Sequence, residues 1–460
     1  MSYRGPQKNP LIILSDGSWS GRENGSESNL RLLANLIWGH DGLPRDDDLA
    51  HLHPTGKAHY VNSVPVGTSF MDYIFYGPNI QDIEQQCVDA YEYIVRGYTP
   101  QETEIWMFGA SRGTFVVRSV AAMINNCGIV KPLYQADGEV DEEKTRQLCQ
   151  DVYRIYRNPS EVCAPQTEPS RQFRRNYSWP LIGDGEVAEA PIRFMGLFDT
   201  VGERGIPEFG RVGVDWPKFY DRHVSSVVSD VYHAVSLHDR LLAFRPCLIS
   251  RDTEYGPSYG ITERWFPGTH HDICRQRFKP VRGILPKRLE NLLPAWTWAS
   301  QTIRPNEVLS DLVLKWMLEC VGEHDQSGFV IPKGNLYCEL DRLKQAILQA
   351  GNTGDGDIYS RMVQFVPFGR YVDFALSKAF GKWQDNQMYQ LLFACRPRRV
   401  PAINSSVYNY RFPDPDLDGN IVQKLARLPG SSAEAIGPAD NRYPSTTYDK
   451  WFLRRAGRSP

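Results

Sequence analysis

A chain of 460 residues with 41% hydrophobic content can bury a large core, and 52 basic against 54 acidic side chains leave a net charge of −2. That balance excludes a global bias toward nucleic acid or an anionic membrane. Nine cysteines without Cys-x-x-Cys spacing exclude a zinc ribbon and a disulfide framework, and their odd number fits a reducing compartment.

The first predicted element is the strand Leu11–Leu14, opened by Pro10 and followed by the loop Asp16-Gly17-Ser18. Ser28 or Asn29 then caps a helix that places Leu30, Leu33, Ala34 and Ile37 on one stripe. A second strand, His59–Val64, precedes a helix over Ile80–Val95, where Ile83, Cys87, Ala90, Tyr91 and Ile94 fall at helical spacing. The run Glu104–Phe108 reads as a strand and Thr114–Ile124 as a helix, with Gly109-Ala110-Ser111-Arg112-Gly113 between them. Residues 131–190 break the rhythm with a helix near Glu142–Tyr156 and a polar, proline-bearing stretch, Asn158–Arg175. That insertion reads as a lid or binding wall, or equally as a plain surface excursion. Ile192–Phe198 is a buried strand running into Asp199-Thr200-Val201-Gly202. Val227–Leu242 reads as a helix carrying His233 and His238. The strand Thr262–Phe266 leads into Pro267-Gly268-Thr269-His270-His271-Asp272, and a helix follows over Asn306–Val321. After about residue 400 the chain is rich in Pro, Asn, Ser and Gly without periodicity.

Strands alternating with helices predict an α/β-hydrolase-like fold, a mostly parallel central sheet with helices on both faces. Residues 1–400 form the expected catalytic domain, with 401–460 as a loop-rich tail that wraps the domain or is partly disordered. No run approaches the ~20 apolar residues of a spanning helix, and the N-terminus lacks a basic-then-apolar leader. The expectation is a soluble, intracellular, cytoplasmic location.

Gly-x-Ser-x-Gly between strand and helix is the pattern of a nucleophile elbow. The serine sits on a strained turn, and a Cβ at Gly109 or Gly113 would collide with neighbouring backbone. The helix that follows points N–H groups and a positive dipole end at the place where an oxyanion forms. A base and an orienting acid are expected at later strand ends, in the order Ser, Asp, His. Asp199 and His270 hold those addresses. Asp239 and Asp272 are rival acids, the first badly placed and the second too near His270 in sequence, where it can buttress the loop. His271 is the rival base. Arg112 supplies one oxyanion N–H, while Gly17 or Ser18 could present the second. The Arg112 side chain could meet a substrate anion or pair with a neighbouring acid. Asp16 could instead tie its loop to backbone amides. An aspartyl-phosphate reading of Asp16-Gly17-Ser18 fails because Leu14 stands where a nucleophilic aspartate is needed.

Four segments, Ile13–Trp19, Phe108–Gly113, Gly196–Gly202 and Trp265–Asp272, resemble the DUF2235 family of α/β-hydrolase-like proteins, which includes type VI secretion lipase effectors of the first class. With Trp316–Glu319 the resemblance covers about residues 10–320. It implies a phospholipase with a Ser-Asp-His triad at Ser111, Asp199 and His270, and only the family register favours His270 over His271. One departure stands out: where the family usually has a glycine pair, this chain has Cys274-Arg275-Gln276.

The expected function is therefore a serine ester hydrolase acting on a lipid-like ester, with no metal, no cofactor and no nucleic acid, and with peripheral contact to a membrane at most. The alternatives are a non-catalytic scaffold that binds a ligand or partner, and a small-molecule carboxylesterase. Trp19, Phe70, Tyr73, Phe75, Tyr76, Trp265 and Phe266 are candidates for an acyl groove, or for ordinary core.

Overall fold

The computed structural model of the chain describes residues 8–17, 27–38, 50–52, 58–61, 80–158, 160–180, 190–200, 227–236, 247, 249, 260–266, 268–277 and 305–349. The tail 401–460 lies outside them, as do Ser18, His238, Asp239 and the aromatics Trp19, Phe70, Tyr73, Phe75 and Tyr76.

Among the described residues seven strands form one sheet: β1 (Asn9–Ser15), β2 (Ala50–Leu52), β3 (Ala58–Val61), β4 (Thr103–Ala110), β5 (Ile192–Phe198), β6 (Val228–Ser236) and β7 (Gly260–Phe266). Their order is β2-β3-β1-β4-β5-β6-β7, and every pairing is parallel except β2 with β3. The chain moves outward from β1 to β3 and then returns to β4. The carboxyl ends of β1 and β4 therefore flank a topological switch point, the position where open α/β sheets bind ligands.

The strands are apolar on both faces, so alternate residues feed two separate cores. Ile12, Leu14, Trp106, Phe108, Phe194 and Phe198 face one side. That side is covered by α1 (Asn29–Trp38), α6 (His270–Cys274), α7 (Glu307–His324) and α8 (Lys333–Gln349). Leu11, Ile13, Ile105, Met107, Met195 and Leu197 face the other. There α2 (Ile80–Gly97), α3 (Arg112–Cys127) and α4 (Glu142–Arg157) pack. The helix α3 is buried along nearly its whole length because it lies between the sheet and α4. Among the described residues no helix is long and apolar enough to cross a membrane.

One predicted element is of the wrong type. Val228–Ser236, expected within a helix, is the strand β6, and His233 points from it with no exposed surface. Val228, Val231, Tyr232 and Val235 fall at i, i+3, i+4 and i+7, which imitates a helical stripe. A strand between two parallel neighbours is buried on both faces and needs no period-two alternation.

The described part of the insertion braces the helical layer. From α4, Cys149, Val152 and Tyr153 enter the core with α2 and α3. Helix α5 (Glu168–Tyr177) is tied to the C-terminal end of α3, the end opposite Ser111. Arg174 donates to the Asn126 carbonyl at 2.6 Å, and Ser178 to that of Cys127 at 2.5 Å.

Candidate active site

Ser111 stands between β4 and α3 at φ 53° and ψ −117°, a backbone region that side chains rarely adopt. Its amide donates to the Phe198 carbonyl at 2.9 Å, so the end of β5 holds the turn. The two elbow glycines make the turn geometrically feasible. A Cβ on Gly113 would lie 1.8 Å from the Ser15 carbonyl oxygen, and one on Gly109 would lie 2.6 Å from Thr114 Cα.

Asp199 follows β5 with no exposed surface and a φ of 43°. Its amide donates to the Ala234 carbonyl at 2.7 Å. Its Oδ1 accepts the Ser236 N–H at 2.8 Å, and its Oδ2 accepts the Ser236 hydroxyl at 2.8 Å. The adjacent Thr200 N–H donates to His233 Nε2 at 3.2 Å. Ser236 and His233 thus fasten the Asp199 loop from β6; the sequence places His233 on an expected helix and does not single out Ser236, because β6 imitates a helical stripe.

His270 opens α6 and is fully buried. Its Nδ1 donates to Asp199 Oδ2 at 2.8 Å, and its Nε2 lies 2.8 Å from Ser111 Oγ. A carboxylate accepts only, so the proton sits on Nδ1 and Nε2 is left to accept the serine hydroxyl. Serine, histidine and aspartate are therefore joined in one line of hydrogen bonds.

The rivals occupy other places. Asp272 reaches back along α6: its Oδ2 accepts the Thr269 N–H at 2.7 Å and hydroxyl at 2.9 Å, and its Oδ1 accepts the Asn306 N–H at 2.7 Å. It braces the loop that carries His270, as a capping residue does. His271 is buried with its ring edge-on to His270, the centroids 5.7 Å apart. Burial, and after it the neighbouring His270, pushes its pKa well below the usual histidine range, so it stays neutral beside the imidazolium that His270 would form.

Asp16 has a structural set of partners. Its Oδ1 accepts the Gly17 N–H at 2.7 Å, and its Oδ2 accepts the Ser28 hydroxyl at 2.5 Å and the Tyr60 hydroxyl. Burial, with the Asp16 charge second, holds the Tyr60 pKa well above its usual value, so the phenol keeps the proton it donates. Ser28 also accepts the Arg31 N–H at 2.9 Å, which makes it the cap of α1. Asn29 donates from Nδ2 to the carbonyls of Ile273 and Ser310 at 2.9 and 3.0 Å, locking α1 to α6 and α7. Gly17 itself presses on Ser111: a Cβ there would lie 2.6 Å from Ser111 Cβ. The side chain of Arg112 is buried beside Ser111, at 6% exposure. Of the aromatics proposed for an acyl groove, Phe266 lies in the core against Trp316, ring centroids 5.3 Å apart.

Positive φ concentrates here. Among the described residues four non-glycine positions have it, and three of them, Ser111, Asp199 and Arg275, surround this site. Backbone strain of this kind persists where surrounding contacts over-determine the geometry, as they do at active sites.

A Saccharomyces cerevisiae protein described as uncharacterized protein YEL023C is 28% identical over 166 residues, which cover 35% of this chain and 21% of that protein. A crystal structure of an uncharacterized protein from Pseudomonas aeruginosa aligns with 98% of this chain and 66% of its own, at 14% identity and a TM-score of 0.35. The structure of a Tle1 effector bound to the VgrG spike of the type 6 secretion system aligns with 76% of this chain and 82% of its own, at 12% identity and a TM-score of 0.28. The family model for the catalytic domain of Tle1-like phospholipase effectors of the type VI secretion system matches residues 9–320, a span that holds all four motif segments together with Ser111, Asp199 and His270. With that match over more than half its length, the chain belongs to the Tle1-like phospholipase effector family.

Proposed function

We propose that this chain is a serine ester hydrolase that cleaves a lipid-like ester, a phospholipid above all, through an acyl-enzyme on Ser111. The observation that carries the reading is the buried line Ser111 Oγ, His270, Asp199, with 2.8 Å at each of its two hydrogen bonds. Membership of a phospholipase family supports the substrate class.

In this mechanism Ser111 Oγ attacks the ester carbonyl while His270 Nε2 takes its proton. The carbonyl π electrons move onto oxygen, and the Arg112 N–H at the start of α3 faces that developing charge. Asp199 stabilises the imidazolium through Nδ1–H and stays ionised, because Ser236 supplies two further donors to its carboxylate. The tetrahedral intermediate collapses, the C–O bond to the leaving alcohol breaks, and His270 returns its proton to that alcohol. Water then attacks the acyl-serine with His270 as base, releasing the fatty acid and restoring Ser111. Contact with the lipid surface is peripheral in this reading.

The test combines a fluorophosphonate probe with a substrate panel. Wild-type protein should be labelled on Ser111, and Ser111→Ala should lose both labelling and ester hydrolysis. Phospholipid vesicles and long-chain monoacylglycerols should turn over faster than acetyl or butyryl nitrophenyl esters. Turnover confined to the short esters would make the chain a small-molecule carboxylesterase. Absence of labelling and of all turnover would leave a binding scaffold.

A further inference from the structure

The mechanism above needs a second oxyanion donor, and Gly17 does not have a free amide to give, since its N–H is already donated to Asp16 Oδ1 at 2.7 Å. A different group stands at the required place. Gln276, two residues beyond α6, is 1% exposed, and among the described residues neither its Nε2 nor its Oε1 has a hydrogen-bond partner. Leaving a carboxamide buried and unpaired is unfavourable, and native proteins rarely keep such a group without a use for it.

Its location follows from Gly17. The point where a Cβ would stand on that glycine is 2.6 Å from Gln276 Nε2 and 2.6 Å from Ser111 Cβ. The amide nitrogen and the Ser111 side chain thus both close on Gly17, an approach that only a residue without a side chain permits. An ester carbonyl attacked by Ser111 must place its oxygen close to the serine side chain.

We propose that Gln276 Nε2 donates the second oxyanion hydrogen bond, opposite the Arg112 N–H; this rests on the serine hydrolase reading given above. The amide keeps its proton throughout and lowers the barrier only by meeting the charge that develops on the carbonyl oxygen. The turn that carries it is held in advance. Arg275 adopts the left-handed conformation, φ 55° and ψ 48°, its guanidinium bonds Asp311 at 2.5 Å, and the Gln276 N–H donates to the His271 carbonyl at 2.9 Å.

The experiment uses the full chain, with Gln276→Met, which keeps the volume and removes the donor, and Gln276→Glu, which keeps the shape and places an acceptor there. Monomeric dihexanoyl phosphatidylcholine gives kcat and KM, a fluorophosphonate gives the labelling rate, and thermal unfolding gives the midpoint. Loss of one oxyanion donor lowers kcat by about 10²-fold or more. We expect that loss in Gln276→Met with KM within about threefold, a greater loss in Gln276→Glu, slower labelling in both, and a midpoint for Gln276→Met no lower than that of wild type. A Gln276→Met kcat within about threefold of wild type overturns the proposal, as does a loss that follows a falling midpoint in both variants. If wild type is labelled on Ser111 while the Gln276 variants match it, the hydrolase reading stands and this inference alone falls. If wild type is not labelled and hydrolyses nothing, both fall together.

Discussion

Replacing Ser236 by alanine tests whether the contacts behind Asp199 matter to catalysis. The substitution removes one hydroxyl from Asp199 Oδ2 at 2.8 Å and leaves that oxygen with the His270 Nδ1–H, also at 2.8 Å. The Ser236 N–H on Oδ1, at 2.8 Å, is backbone and survives. A hydrogen bond to a charged group contributes about 1.5–3 kcal/mol. If all of it were felt in the transition state, kcat would fall by roughly 10- to 150-fold, at about 1.4 kcal/mol per factor of ten. The bond exists in the ground state as well, so the expected fall is about 10-fold with KM unchanged. It should be far smaller than the roughly 10⁴-fold loss that follows when the acid of such a triad can no longer set the histidine tautomer. Steady-state kinetics on a monomeric phospholipid, with urea unfolding alongside, measures both parts. A variant with wild-type kcat and an unchanged urea midpoint would refute the idea that Ser236 holds the acid. A loss near 10⁴-fold would show that the hydroxyl takes part in the chemistry itself.

Two further outcomes follow from the geometry. Ser111→Gly and Ser111→Ala should both be inactive, but the glycine variant should be more stable by about 1 kcal/mol in urea unfolding, because only glycine adopts φ 53°, ψ −117° without strain; equal stability would count against a strained elbow. His271, kept neutral by burial, takes up no proton where the unfolded chain does, so as pH falls below about 6.5 the folded state should lose up to about 1.4 kcal/mol per pH unit through this group. The stability difference between wild type and His271→Asn should therefore shift against wild type between pH 7 and 5, and a difference constant over that range would contradict the assignment.

The strongest features of this chain were legible before any coordinates, because each is local. Gly109–Gly113 between an apolar run and a helical stripe is a strand-turn-helix signal carried by adjacent residues. Asp199 and His270 follow apolar runs in the order the proposed chemistry needs, and Ser28 ahead of Leu30 and Leu33 is a cap written beside the helix it starts. The exception, β6, shows the limit of periodicity. A strand covered on both faces has no polar alternation to betray it, and four of its residues happen to fall at helical spacing. Misreading it hid Ser236 and the place of His233, since both depend on pairing with β5 rather than on neighbours in sequence.

What only the folded chain decided are contacts between segments far apart along it. His270 and His271 are adjacent in sequence, but on a helix successive side chains diverge by about 100°, so α6 turns one ring onto Ser111 and Asp199 and the other away. Asp16 could have served catalysis or its own loop, and the arrival of Ser28 and Tyr60 at its Oδ2 gave it the second task. Gln276 carries no motif at all. Its place beside Ser111 arises because the turn after α6 brings a carboxamide against Gly17, whose missing side chain permits the approach.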